Sequence, residues 1–359
     1  LKNLDYLITA AAAGALSLAL TPLMIGLSKR LKILDLPNAR KAHSKPMPLM
    51  GGMAMYIATV LATLFFVLFF GNGLDWSLVI AFIVGISGVT AMGLIDDIMH
   101  LSARRRLVIL FILALIVLVG CLQFYFPAKL KSSWYLLLPV SLIVVVWIVA
   151  ITNAINFADG LDGLASGLSL ISAVGFAVIF YLQGRTQLAL PTALALCGAI
   201  LGFLPYNTNP AKVFMGDAGS MFIGFMLGIF SIMSMAEKSI DVFIVLIYLM
   251  LVPIVDMSMA VLRRMLMKKP LMMPDKMHFH HILNRRMKSQ RIVVLILTFA
   301  QAVSAALGVL IYMFRLYLLG WILMGVIAAA AIIYTLHKAY RLLQMEKGAL
   351  AATAAAPKQ

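Results

Sequence analysis

Runs of roughly twenty apolar residues recur along this chain from end to end, and that recurrence decides what it can fold into. In lipid a backbone N–H or C=O finds no water, so a spanning segment of this length must be helical and satisfy itself. Between polar breaks the sequence yields eleven such segments, near 6–26, 51–70, 77–94, 107–126, 135–152, 164–182, 189–205, 219–235, 242–262, 292–312 and 318–336. The expected fold is all-α: a polytopic integral membrane protein with about eleven transmembrane helices in one domain, residues 1–340. A cytoplasmic tail over 341–359 is expected to be disordered. Composition agrees, because only 12% of the 359 residues are charged, about half the usual share. The first apolar run leads into a basic loop and further spans, so it reads as a span rather than a cleavable signal. Cys121 and Cys197 each fall inside a span, which argues against a disulfide framework or a zinc site.

A formal charge of +16 raises the question of nucleic acid. Placing Leu1 outside puts 23 of the 29 Lys and Arg residues in the segments that then face inward. That is the positive-inside distribution of a membrane protein, and it accounts for the charge with no nucleic-acid partner. The amino terminus is expected outside and the carboxyl terminus inside. The inside segments 27–50, 95–106, 153–163, 206–218 and 263–291 carry nearly all the polar chemistry. Reactive groups gathered on one cytoplasmic face suit an enzyme better than a two-sided transporter, whose polar groups would sit near mid-bilayer.

The densest inside segment is Asn153-Ala-Ile-Asn-Phe-Ala-Asp-Gly-Leu-Asp-Gly163, at the mouth of an apolar run. Carboxylates at that depth without a basic neighbour mark a cation site or a substrate path. Asn153, Asn156, Asp159 and Asp162 recur every three residues and drift round a regular helix, while Gly160 and Gly163 let the backbone loosen and the side chains converge. Asp96-Asp97 close the third span, with Arg104-Arg-Arg106 within two turns. A solvated helix end is the plain account of such a pair; a proton acceptor or a ligand for a divalent ion is the functional one. Asp217 precedes a span whose first turn holds Gly219 and Ser220, where free amides suit a phosphate and where Asp is also an ordinary cap. Phe214 at that mouth can stack on a base or anchor the interface. Pro274-Asp-Lys-Met-His-Phe-His-His281 with Arg285 reads as a basic, histidine-bearing lid over phosphates. Lys45 lies in a basic Pro/Gly loop suited to phosphate, and Asp256 lies about 10 Å inside its helix end. Oxygen ligands, paired acids and basic groups together point to Mg²⁺ and phosphoryl chemistry, with one substrate arriving from the membrane and the other from water.

Asp96-Asp97, Asn153-x-x-Asn-Phe-x-Asp-Gly-Leu-Asp-Gly163, Phe214-Met-Gly-Asp217 and His278-Phe-His-His281 resemble the motifs of the polyprenyl-phosphate N-acetylhexosamine-1-phosphate transferases, in the same order, from Lys45 to Arg286. The resemblance implies Mg²⁺-dependent transfer, with Mn²⁺ as a substitute, of a sugar-1-phosphate from a UDP-sugar to undecaprenyl phosphate, releasing UMP. It implies a bacterial inner (plasma) membrane enzyme with its active site on the cytoplasmic face, and it allows a homodimer. The pentapeptide branch of peptidoglycan synthesis carries three consecutive histidines then Phe-Glu, and usually ten spans. This chain has His-Phe-His-His and an eleventh span, so it is more similar to the branch that uses UDP-N-acetylglucosamine and starts O-antigen, enterobacterial common antigen, teichoic acid or capsule synthesis. Carried over, Asp217 is the expected metal ligand with Asn156 as a second. Asp96 or Asp97 would deprotonate or orient the lipid phosphate. Asp162, Phe214, Asn207 and Lys45 would shape the uridine pocket, with Asp159 on the metal side. His278, His280, His281 and Arg285 would bind the diphosphate or the sugar. The pentapeptide transferase and a cation-coupled transporter are the alternatives.

Overall fold

The computed structural model describes residues 4–37, 45–71, 74–125, 133–235, 241–270 and 278–354. Lys41–Ser44 of the first basic loop and residues 271–277 of the last inside segment lie outside that description. The described residues form thirteen helices: α1 (Leu4–Leu31), α2 (Gly51–Phe69), α3 (Trp76–Met99), α4 (Ala103–Tyr125), α5 (Trp134–Ala158), α6 (Leu164–Leu182), α7 (Ala189–Asn207), α8 (Gly216–Ser234), α9 (Val242–Leu249), α10 (Leu251–Leu266), α11 (Phe279–Met287), α12 (Gln290–Met313) and α13 (Tyr317–Ala354). Two extended pairs, β1 (Leu34–Asp35) and β2 (Met47–Pro48), form a short antiparallel ladder, with Leu34 opposite Pro48. They are the departure from an all-helical chain, and Pro48 favours the extended backbone of Met47 before it.

Helices α1 to α8, α12 and α13 are each long and apolar enough to cross a membrane, whereas α9 and α10 qualify only as a pair bent by 85°. Helix α8 starts at the end of the bundle that holds Asp217 and, at 19 residues, runs roughly 28 Å to the other. Helix α12 starts back beside Asn209, whose carbonyl accepts from Arg291 Nε at 3.2 Å. The bent pair therefore returns the chain across the bundle, making the eleventh crossing that the sequence suggests. Helix α13 continues to Ala354, so the expected tail is helical up to that residue. Its Ala, Leu, Gln, Met, Glu and Lys residues are strong helix formers, and they need no lipid to hold the backbone.

Helix α8 is the axis of the fold. Every one of its residues except Asp217 is buried, as its apolar character all round requires. It packs against α2, α3, α5 and α6. Close approach depends on missing side chains: a Cβ on Gly52 of α2 would strike the Cα of Gly219 in α8. Without a water-driven hydrophobic force inside lipid, such backbone-to-backbone packing is what binds the helices. The periphery, α13 above all, turns Leu318, Ile322, Val326 and Ile333 outward, as a lipid-facing helix must.

Candidate active site

The polar residues meet where α3 and α5 end and α8 begins. Asp96 and Asp97 are adjacent on α3, yet they do different things. Asp97 accepts the backbone N–H groups of Asp217 (Oδ1, 2.9 Å) and Ala218 (Oδ2, 3.2 Å). These are free amides of the first turn of α8, so Asp97 caps that helix from its neighbour. The cap requires Gly216, at φ +67°, because a Cβ there would stand 2.5 Å from Asp97 Oδ2. Two amides expected to face a phosphate are thus already committed.

Asp96 turns the other way. Its Oδ1 accepts from Leu101 N at 2.6 Å and its Oδ2 from Arg106 Nη1 at 2.8 Å. The same guanidinium nitrogen lies 3.6 Å from Asp217 Oδ2, and the Asp96 and Asp217 carboxyls are themselves within hydrogen-bonding reach. Asn156, from the end of α5, donates through Nδ2 to Asp217 Oδ1 (2.6 Å) and to Ser220 Oγ (2.9 Å). The Asp217 carboxylate is therefore held by an amide on one side and an arginine on the other, with 31% of its side chain still exposed. Asp96, by contrast, is 5% exposed.

Past the end of α5, burial pushes the Asp159 carboxyl up to about 7, and the charges of Asp217 and Asp162 add to the shift. Acids outnumber bases here, a field that favours a cation. Among the described residues no three His, Cys, Asp or Glu side chains form a ready-made metal cage. Mg²⁺ does not need one, since it uses one or two carboxylates with substrate phosphates and water. Asp217, the partly exposed carboxylate on an otherwise buried helix, has Asn156 and Asp159 beside it and fits that requirement.

The loop after α5 is pinned to the loop after α7. Asp162 Oδ2 accepts from Asn209 Nδ2 (3.0 Å) and Ala211 N (3.1 Å), while Asn209 also donates to Gln290 Oε1 (3.1 Å). Asn207, expected on a pocket wall, is instead 1% exposed and engaged at both ends of its amide. Its Oδ1 accepts from Ser166 Oγ at 2.7 Å and its Nδ2 donates to Val213 O at 3.1 Å. It braces the loop that leads to Phe214 rather than facing a ligand, because a buried amide must be satisfied. Phe214 is half-buried, and its backbone ties this loop to the start of α2 through Pro48 O (2.9 Å) and Gly51 N (3.1 Å). Lys45 is exposed, two residues before β2.

The histidines gather round Asp256 of α10. Asp256 Oδ1 accepts from Phe279 N (2.6 Å), and its Oδ2 lies 3.2 Å from His280 Nδ1 and 3.3 Å from His278 Nδ1. The His280 and His281 rings are tilted against each other with centroids 4.2 Å apart, while His278 stacks on His280 at 5.7 Å. A Cβ on Gly160 would meet His280 Nε2 at 2.5 Å, so the histidines lie directly against the Asn153–Gly163 stretch. Phe157, within that stretch, lies near both the His278 ring (5.4 Å between centroids) and the Arg264 guanidinium (6.0 Å). Burial, then the neighbouring His280 and His278, lowers the His281 imidazole to about 4, so it is neutral near pH 7. Arg285 donates to His281 O at 3.4 Å from the exposed side of α11.

The structure thus brings together Asp96, Asp97, Asn156 and Asp217 by direct contact, and sets Asp159, Asp162 and the histidines round them. Sequence reasoning named Arg106 and Ser220 only as neighbours of the acids, and gave none of Arg106, Asn209 or Ser220 a role in the site. Arg106 had a signal, its place in a basic run ten residues after Asp96. Asn209 and Ser220 had only their nearness to candidates.

Residues 79–235 match the family described as Glycosyl transferase family 4. The chain is 37% identical, over 78% of its length, to 77% of a probable undecaprenyl-phosphate N-acetylglucosaminyl 1-phosphate transferase of Bacillus subtilis. It is 37% identical to a decaprenyl-phosphate N-acetylglucosaminephosphotransferase of Mycolicibacterium smegmatis, covering 73% of this chain and 71% of that one. The undecaprenyl-phosphate alpha-N-acetylglucosaminyl 1-phosphate transferase of Escherichia coli K12 is 29% identical, covering 79% of this chain and 77% of the relative. A helical membrane bundle with carboxylates and amides at one end, and likeness of this extent to three such enzymes, lead to one conclusion: the chain belongs to the polyprenyl-phosphate N-acetylhexosamine-1-phosphate transferase family and is a glycosyl-1-phosphate transferase.

Proposed function

We propose that the protein transfers N-acetylglucosamine-1-phosphate from UDP-N-acetylglucosamine to undecaprenyl phosphate at the cytoplasmic face of a bacterial inner membrane. The products are undecaprenyl-diphospho-N-acetylglucosamine and UMP, the first membrane step of a cell-envelope polysaccharide. An oxygen of the lipid phosphate forms a bond to the β-phosphorus of the donor. The bond from that phosphorus to the bridging oxygen breaks, and UMP leaves with the oxygen. Direct attack is preferred because both substrates can be aligned at one site without a covalent step.

The observation that carries this reading is the Asp217 carboxylate, partly exposed at the mouth of a buried helix and fixed between Asn156 and Arg106. Asp217, with Asn156 and Asp159, would hold Mg²⁺, which when bound offsets the charge of the donor diphosphate. Asp96, held by Arg106 next to the Asp217 carboxylate, would orient or deprotonate the lipid phosphate. Lys45, Phe214 and Asp162 would lie on the nucleotide side, and the histidines with Arg285 on the diphosphate or sugar side. The names of the relatives favour N-acetylglucosamine over the pentapeptide-bearing donor. The carboxylates stand at helix ends rather than at mid-bilayer, which favours an enzyme over a transporter.

The test is UMP release by purified protein in nanodiscs with undecaprenyl phosphate and a panel of donors, with and without Mg²⁺. UDP-N-acetylglucosamine should be turned over only with the metal. Release from UDP-MurNAc-pentapeptide alone, or from no donor, would overturn the assignment.

A further inference from the structure

The break between α9 and α10 leaves three backbone groups without helical partners. In an unbroken helix the Val252 N–H would bond to the Tyr248 carbonyl, and the Leu249 carbonyl would look for the N–H of residue 253. Residue 253 is proline and has none. Inside a membrane such groups cannot be left to water. All three are met from α12. Gln301, fully buried, accepts the Val252 N–H through Oε1 at 3.0 Å and donates through Nε2 to Leu249 O at 2.6 Å. Ser304, one turn on, donates to Tyr248 O at 2.7 Å. The 85° bend is therefore held by side chains of a neighbouring helix, not by the bent chain itself.

The bend matters because of what α10 carries. Asp256 lies in its second turn and holds Phe279 N, His280 and His278, and His280 rests on Gly160. The angle at Met250 thus sets where the histidine pair meets the Asn153–Gly163 stretch.

We propose that Gln301 is a positioning residue for the transfer reaction. It fixes the break between α9 and α10, and so fixes the direction from which Asp256 presents His278 and His280 to the donor side of the site. The inference rests on the donor-side reading of the histidines given above.

Two measurements test it. Spin labels on Ser258→Cys of α10 and Val119→Cys of α4, both exposed, report the direction of α10 in a Cys121→Ala/Cys197→Ala background without any substrate. Steady-state kinetics with UDP-N-acetylglucosamine and undecaprenyl phosphate report the consequence. Gln301→Leu should broaden the distance distribution and raise KM for the UDP-sugar about tenfold, leaving KM for the lipid phosphate unchanged; misplacement on the ångström scale has effects of that order or larger. Loss of folded protein would lower Vmax alone. Gln301→Glu should restore both readouts, since a buried, uncharged carboxylic acid offers one acceptor and one donor. Asp256→Asn should raise the same KM, and its effect should be non-additive with Gln301→Leu. A wild-type distance distribution in Gln301→Leu, or a fall in Vmax with both KM values unchanged, overturns the proposal. Should Gln301→Leu fail to accumulate, Ser304→Ala removes one of the three bonds and is judged by the same outcomes. Failure of wild-type UMP release would instead count against the reaction, leaving the distance result standing.

Discussion

If Asp97 caps α8 rather than taking a proton, replacing it should damage position and stability but not the pH dependence of the rate. Its carboxylate holds the amides of Asp217 and Ala218 at 2.9 and 3.2 Å. A buried donor left without a partner costs about 1–3 kcal/mol, so Asp97→Ala, which strips both amides, should cost about 2–5 kcal/mol. Asp97→Asn keeps one acceptor oxygen and turns a donor toward the second amide, for a loss of about 2 kcal/mol. Both should appear as lower melting temperatures in detergent. The first of those amides belongs to Asp217, so the rate should fall too: roughly tenfold in Asp97→Asn, and about a hundredfold in Asp97→Ala if the carboxylate moves by an ångström. The deciding assay is kcat against pH. Asp97→Asn should retain the acid limb of the wild-type profile. An Asp97→Asn enzyme with normal thermal stability and no acid limb would refute the cap and return Asp97 to the role of base.

Asp217→Ala should abolish Mg²⁺-dependent UMP release while the protein still accumulates in the membrane; near-normal turnover would remove Asp217 from the metal site. Gly52→Val should destabilise the bundle by about 3 kcal/mol, because its side chain meets the Gly219 backbone and not a movable group; an unchanged melting temperature would count against the α2–α8 packing. The imidazole of His281, lowered to about 4 in the fold, binds its proton more readily in the unfolded chain, whose ordinary value is about 6.5. Its contribution to stability is thus complete above about pH 6.5 and is lost as the pH falls toward about 4. His281→Gln should flatten that part of a melting-temperature profile, and an unaltered slope would exclude His281 as its source.

Much of this protein is legible in its amino-acid sequence alone. Apolar runs longer than about 17 residues dictate spanning helices whatever their neighbours, because lipid removes every other partner for the backbone. The basic residues point to an orientation, and the spacing of Asp96-Asp97, Asn153–Gly163, Asp217 and the histidines carries a family resemblance. What the sequence does not supply is direction. Adjacent residues on a helix point about 100° apart, so Asp96 and Asp97 have to part company, yet which one faces α8 depends on where α8 lies. Asn207 reads as a ligand contact in sequence, but Ser166 and Val213, 41 and 6 residues away, occupy its amide. Asp256 draws the histidines together because an 85° bend aims its helix at them, and that bend depends on Gln301, 49 residues from the amide it accepts. Local chemistry and the membrane determine the helices and the inventory of the site; long-range hydrogen bonds decide which side chain each residue meets.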